Sequence, residues 1–84
     1  MKISVAKLNS DLKSEDLYKV FQLYGKVVYA NIIRDQFTGR SKGYGFVEMA
    51  NDEEAVIAIY ELNGAELHGR SLLIRKVKLF KAPR

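Results

Sequence analysis

The sequence has no cysteine, a single histidine and no apolar run of membrane-spanning length. Without thiols it forms neither disulfides nor thiolate metal sites, which excludes a secreted disulfide scaffold and any metal-carrying domain that needs a cysteine pair. His68 lies in a turn-like stretch with no second histidine to join it, so neither a metal site nor a Cys-His or Ser-His-Asp set is expected. Most carboxylates fall at helix starts or in turns, and the chain therefore reads as non-enzymatic, with no cofactor. The opening stretch MKISVAKLNSDLK alternates apolar and polar residues where a signal peptide would have one apolar block. These absences lead to the expectation of a soluble, cytoplasmic protein with no membrane partner. Linkers and low-complexity segments are also missing, as is any internal repeat beyond two β-α-β-like halves.

Charge is unevenly spread. Between Gly43 and Gly69 there is no Lys or Arg, while Glu48, Asp52, Glu53, Glu54, Glu61 and Glu66 all fall there. From Arg75 onward the segment RKVKLFKAPR carries Arg75, Lys76, Lys78, Lys81 and Arg84 with no acid, which concentrates positive field at one end. The balance of 14 basic to 10 acidic residues gives +4, a sign that favours polyanions. With 84 residues, 48% of them hydrophobic, the chain suits one packed domain, expected over residues 1–79 with a short basic tail at 80–84.

Periodicity orders the elements. Lys2 to Leu8 alternates, with Ile3 and Val5 on one face and Lys2, Ser4 and Ala6 on the other, as in a half-buried strand. A first helix is expected from about Ser14 to Tyr24, with Leu17, Val20, Phe21 and Tyr24 at helical spacing and Glu15 and Asp16 in the first turn. Val27 to Arg34 is β-branched and reads as a second strand, with Ala30 and Ile32 inward, closed by the turn-forming DQFTGRSKG. Tyr44 to Met49 forms a third, in which Tyr44, Phe46 and Glu48 share one face. Asn51 and Glu54 resemble a capping box ahead of a second helix with Ala55, Ala58, Ile59 and Leu62 inward, ending at Asn63 and Gly64. A fourth strand is expected over Ser71 to Lys78, with Leu72 and Ile74 inward and Leu73 and Arg75 outward.

The order β-α-β-β-α-β specifies an α+β, ferredoxin-like sandwich. A right-handed crossover makes the first two strands parallel, and the third slots antiparallel between them. The result is a four-stranded antiparallel sheet of order 4-1-3-2 with both helices on one face. The other face is open, with the first and third strands at its centre. Two adjacent aromatics, Tyr44 and Phe46, therefore stand where an ordinary solvated sheet carries polar residues. Nucleobases have apolar π-faces, and stacking one on an aromatic ring is worth about 1–3 kcal/mol.

The eight residues KGYGFVEM, Lys42 to Met49, resemble the octamer signature of RNA-recognition motifs at seven positions of eight, Met49 being the departure on the core side. ISVAKL, Ile3 to Leu8, resembles that family's hexamer, and RDQFTGRSKG and LNGAELHGRSL lie where related domains carry similar turns. The resemblance covers nearly the whole chain and is narrowest to small bacterial proteins consisting of little besides this motif. It implies single-stranded RNA as the partner, with Tyr44 and Phe46 stacking bases, in post-transcriptional regulation or RNA chaperoning; single-stranded DNA is a second candidate ligand. Lys2, Arg40, Lys42, Arg75 and Lys78 are the expected phosphate contacts, and Asn31 an edge reader.

The hexamer departs from the family pattern at Ser4, where an aromatic usually stacks another base, and at Lys7, where Asn or Gly is usual. Losing one stack lowers affinity roughly 5- to 150-fold unless something compensates. Tyr29, outward on the second strand, Phe37 in the hairpin loop and Phe80 in the tail are lateral aromatics that could do so, although edge or loop packing is the plainer role for the first two. Gly43 and Gly45 permit close packing and do not form a phosphate loop. The competing reading is a protein-interaction module of the same fold, using the sheet or a helical face marked by Tyr18 and Tyr60. A monomer is the expected state.

Overall fold

The computed structural model describes residues 1–78. Its elements are β1 (Lys2–Ala6), α1 (Ser14–Gln22), β2 (Val27–Arg34), β3 (Ser41–Met49), α2 (Asp52–Leu62), β4 (Glu66–Leu67), β5 (Arg70–Ser71) and β6 (Leu73–Lys76). Strands β2, β3, β1 and β6 form one antiparallel sheet in that order, the topology expected from the connection rules. The fold is the ferredoxin-like α+β sandwich. The expected tail, with Phe80, lies outside the described residues.

Alternation decides which side of each strand is buried. Ile3 and Val5 of β1, Val47 and Met49 of β3, Ile32 of β2 and Ile74 of β6 all meet Leu17 and Phe21 of α1 and Ala55, Ala58 and Leu62 of α2 in one core. Each large side chain so buried is worth about 1.5–3 kcal/mol over its exposed state. The two alanines let α2 sit close to the sheet, and Met49 fills the space a ring takes in the family octamer.

The first helix starts where expected and stops two residues short of Tyr24. Asn51 caps α2 as its sequence suggests, its Oδ1 accepting from the Glu54 N–H at 2.9 Å. In α1 the N-cap is Lys13, whose N–H donates to Asp16 Oδ2 at 2.9 Å. Ser14 lies one residue inside the helix, and its Oγ accepts from the Ile32 N–H at 3.0 Å, tying α1 to β2. The helix ends at Gln22.

The expected fourth strand is broken. Arg70–Ser71 pairs with Glu66–Leu67 in a separate two-stranded ladder, Leu72 turns into the core, and only Leu73–Lys76 joins the main sheet. The turn between β4 and β5 carries His68, which pairs with Asp11 Oδ1 at 3.1 Å, while its carbonyl accepts from Asn9 Nδ2 at 2.9 Å. These contacts fasten the small ladder to the loop after β1.

Candidate nucleic-acid interface

The sheet face opposite the helices is built in cross-strand rows. Asn31, Phe46, Ser4 and Arg75 lie side by side on β2, β3, β1 and β6. Tyr44, Ala6 and Leu73 form the row on one side, and Tyr29, Glu48 and Lys2 the row on the other. Tyr44 is 39% exposed and its ring meets Phe46 edge-on, with centroids 6.1 Å apart and planes at 85°. Such edge packing fixes the two rings against one another. The Lys2 ammonium stands 4.7 Å from the Phe46 centroid.

This platform brings together Tyr44, Phe46, Ser4, Asn31, Arg75 and Lys2 of the residues singled out in the sequence. Ser4 provides a small hydroxyl, 3.4 Å from the Arg75 carbonyl oxygen. Lys78 follows β6, exposed, at the Lys2 end of the sheet. Lys42 is exposed beyond Gly43, whose backbone has φ +83°. Arg40 stands further along, in the hairpin between β2 and β3. Glu48, the one acid on the platform, accepts from the Met1 ammonium at 2.7 Å.

The same hairpin end holds a feature the sequence reading missed. A cavity of about 540 Å³ is lined by Ser10, Arg34, Thr38, Gly39, Arg40 and Ser41. Arg34 was legible only as the last residue of a strand, since nothing local signals that its guanidinium donates to the Gly39 carbonyl oxygen across the loop. Phe37 at the tip is 88% exposed. The Asp35 carboxylate faces inward, accepting from the Phe37 and Thr38 N–H groups at 2.8 and 2.9 Å. Those backbone hydrogen bonds, that of Thr38 foremost, hold its pKa below the usual carboxylate value.

The profile of the RNA recognition motif matches residues 3–73. The chain belongs to the RNA recognition motif family. It is 45% identical over 78 residues to a protein of Nostoc named putative RNA-binding protein RbpB, covering 93% of this chain and 76% of that one. The crystal structure of RNA binding protein PG1 superposes with a TM-score of 0.90 at 42% identity, over 100% of this chain and 99% of the other. A Sex-lethal protein/RNA complex superposes with a TM-score of 0.89 at 29% identity, over 95% of this chain and 48% of the other. Some curated relatives are much longer, and the chain spans only 25% of one such chloroplastic protein from Arabidopsis thaliana. Within the RNA recognition motif, Tyr44 and Phe46 stand at the octamer's aromatic positions, and Ser4 at the hexamer's vacant one. Lys7, at the hexamer position where Asn or Gly is usual, has φ +61°, a left-handed backbone that those two residues tolerate best.

Proposed function

We propose that this RNA recognition motif binds single-stranded RNA on its open sheet face, as a monomeric, non-catalytic module of residues 1–79 acting in the cytoplasm. The observation that carries the reading is the Tyr44 and Phe46 pair, packed edge to face on the central strand β3 with no helix over it among the described residues. Each ring stacks one base, Asn31 and Ser4 flank the base on Phe46, and Lys2, Arg40, Lys42, Arg75 and Lys78 neutralise phosphates. The names of the relatives and the RNA-bound neighbour support RNA as the ligand. Post-transcriptional regulation or RNA chaperoning is the role this binding would serve.

The test is a salt-dependent titration with mixed-sequence single-stranded RNA, alongside single-stranded DNA and a polyanion control. Binding that weakens with salt and drops about 5- to 150-fold on Tyr44→Ala or Phe46→Ala supports the reading. Affinity equal to that of the polyanion and indifferent to both substitutions overturns it.

One observation favours a second reading, protein binding through the helices. Val56, Ile57 and Tyr60 of α2 are exposed on the side opposite its buried Ala55, Ala58 and Leu62. They lie among Asp52, Glu53 and Glu61, so the partner of that face would be basic and apolar.

A further inference from the structure

We propose that Asn63 is a modification site, an asparagine that deamidates spontaneously through the Gly64 nitrogen and is held back by the fold until the outer edge of β6 opens. The inference lies outside the RNA-binding reading, and its chemistry does not depend on it.

The sequence supplies the reactivity. Of the four asparagines, at positions 9, 31, 51 and 63, only Asn63 precedes a glycine. With no Cβ to crowd it, the Gly64 nitrogen is the least hindered for attack on the preceding side chain. In the reaction that nitrogen gives its proton to solvent and bonds to Asn63 Cγ, and the Cγ–Nδ2 bond breaks to release ammonia. Water then opens the succinimide ring, at Cγ to give aspartate or at the main-chain carbonyl carbon to give isoaspartate. Water is the only co-reactant, and nothing is oxidised or reduced.

The structure supplies the lock. Asn63 Oδ1 accepts from the Ile74 N–H at 2.9 Å, so the side chain serves as a surrogate carbonyl that covers the outer edge of β6. The Gly64 N–H donates to the Leu72 carbonyl oxygen at 2.8 Å, which ties up the proton that the attacking nitrogen must lose, and the Leu72 N–H donates to the Ala65 carbonyl oxygen at 2.9 Å. Asn63 has ψ 122°, an extended backbone that turns the Gly64 nitrogen away from the Asn63 Cβ, whereas ring closure needs the two eclipsed. Leu72 and Ile74 are 3% and 2% exposed, so this edge cannot part without disturbing the core. Water, by contrast, reaches Asn63 and Gly64, which are both exposed. Conversion therefore waits on a local opening of the fold.

The two products leave different molecules behind. Aspartate keeps an acceptor oxygen within reach of the Ile74 N–H. Isoaspartate inserts a methylene into the main chain between α2 and Gly64, displaces that acceptor and frees the edge. Arg75, the next residue of β6, then loses its fixed place opposite Ser4 on the open face.

The experiment incubates the full chain in mildly alkaline buffer, folded and in denaturant, and follows ammonia release and the position of each conversion by mass spectrometry of fragments. In denaturant Asn63 should convert ahead of Asn9, Asn31 and Asn51, and Asn63→Gln should remove that fast phase. Folding should slow the conversion at least about tenfold, with a residual rate that follows hydrogen exchange of the Gly64 and Ile74 amides. The separated isoaspartate form should melt several degrees lower and bind single-stranded RNA at least about fivefold more weakly, while Asn63→Asp stays close to the parent in both. Another asparagine converting first in denaturant overturns the site, and equal rates in the folded and unfolded chain overturn the lock. An isoaspartate form that melts as the parent does, or that binds RNA unchanged while Tyr44→Ala abolishes binding, overturns the tie to β6. If Tyr44→Ala itself changes nothing, the platform reading falls, and the conversion rates and melts still decide this one.

Discussion

The Lys2 ammonium lies over the Phe46 ring, 4.7 Å from its centroid, although Glu48 is the residue facing Lys2 across the strands. In the free protein a cation therefore occupies the position where a base would stack. A cation–π contact at an exposed site is worth about 0.5–1 kcal/mol and base stacking about 1–3 kcal/mol, so a base displaces the ammonium and frees it for a phosphate. Lys2→Ala should lower the salt slope of RNA binding by about 0.7 and so weaken binding at low salt. At high salt, where the phosphate contact counts for little, the variant should bind as well as the parent or up to about fivefold tighter. Titrations at both ends of the salt range check the crossover; weaker binding throughout would mean that Lys2 does not shield the ring.

Ser4 stands between Phe46 and Arg75 in the central row, and its hydroxyl makes only a 3.4 Å contact to the Arg75 carbonyl. An aromatic there costs little and supplies the missing stack. Ser4→Phe should raise affinity for single-stranded RNA by roughly 5- to 150-fold, measured by fluorescence anisotropy, with the melting temperature nearly unchanged.

Lys7 shows where a sequence pattern carried structural information that alternation could not supply. Its departure from Asn or Gly is visible in the hexamer, but its physical meaning is the left-handed backbone at the end of β1, where the Leu8 N–H turns to the Gly43 carbonyl at 2.9 Å. A side chain with a Cβ costs about 1–2 kcal/mol in that conformation, less for Asn. Lys7→Asn should stabilise the domain by about 0.5–1 kcal/mol, seen as a rise of several degrees in thermal unfolding.

The elements that alternation and helical spacing define were legible, the platform of Tyr44 and Phe46 among them, because burial of Ile3, Val5, Val47 and Met49 fixes which side of β1 and β3 faces out. The features that escaped are settled by tertiary contacts. Ser14 has the chemistry of a cap, yet Ile32 takes its hydroxyl; the β4 and β5 ladder is too short to leave a periodic trace; and the Arg34 cavity exists only once the hairpin closes.

Gly45 faces the core side of β3 where β2 comes close. A Cβ there would collide with the Asn31 carbonyl oxygen and sit 3.0 Å from the Ile32 Cα, both backbone atoms that cannot step aside without moving the strand. Gly45→Ala should destabilise the domain by about 1–3 kcal/mol in denaturant unfolding and, by shifting Asn31 away from Phe46, weaken RNA binding in the fraction that remains folded.

Asp35 makes the hairpin sensitive to acid. Its carboxylate pKa is lowered by the Thr38 and Phe37 N–H groups, so the ionised form is favoured in the folded chain. A depressed pKa means that the stabilisation is complete above the unfolded value and is lost as pH falls through the folded one. The Phe37 and Thr38 amide resonances should therefore shift together as pH drops below the ordinary carboxylate range, with the hairpin loosening and the core intact. Asp35→Asn keeps an acceptor oxygen and removes the titration, so in that variant the same resonances should stay flat. If they move as before, some other group controls the loop.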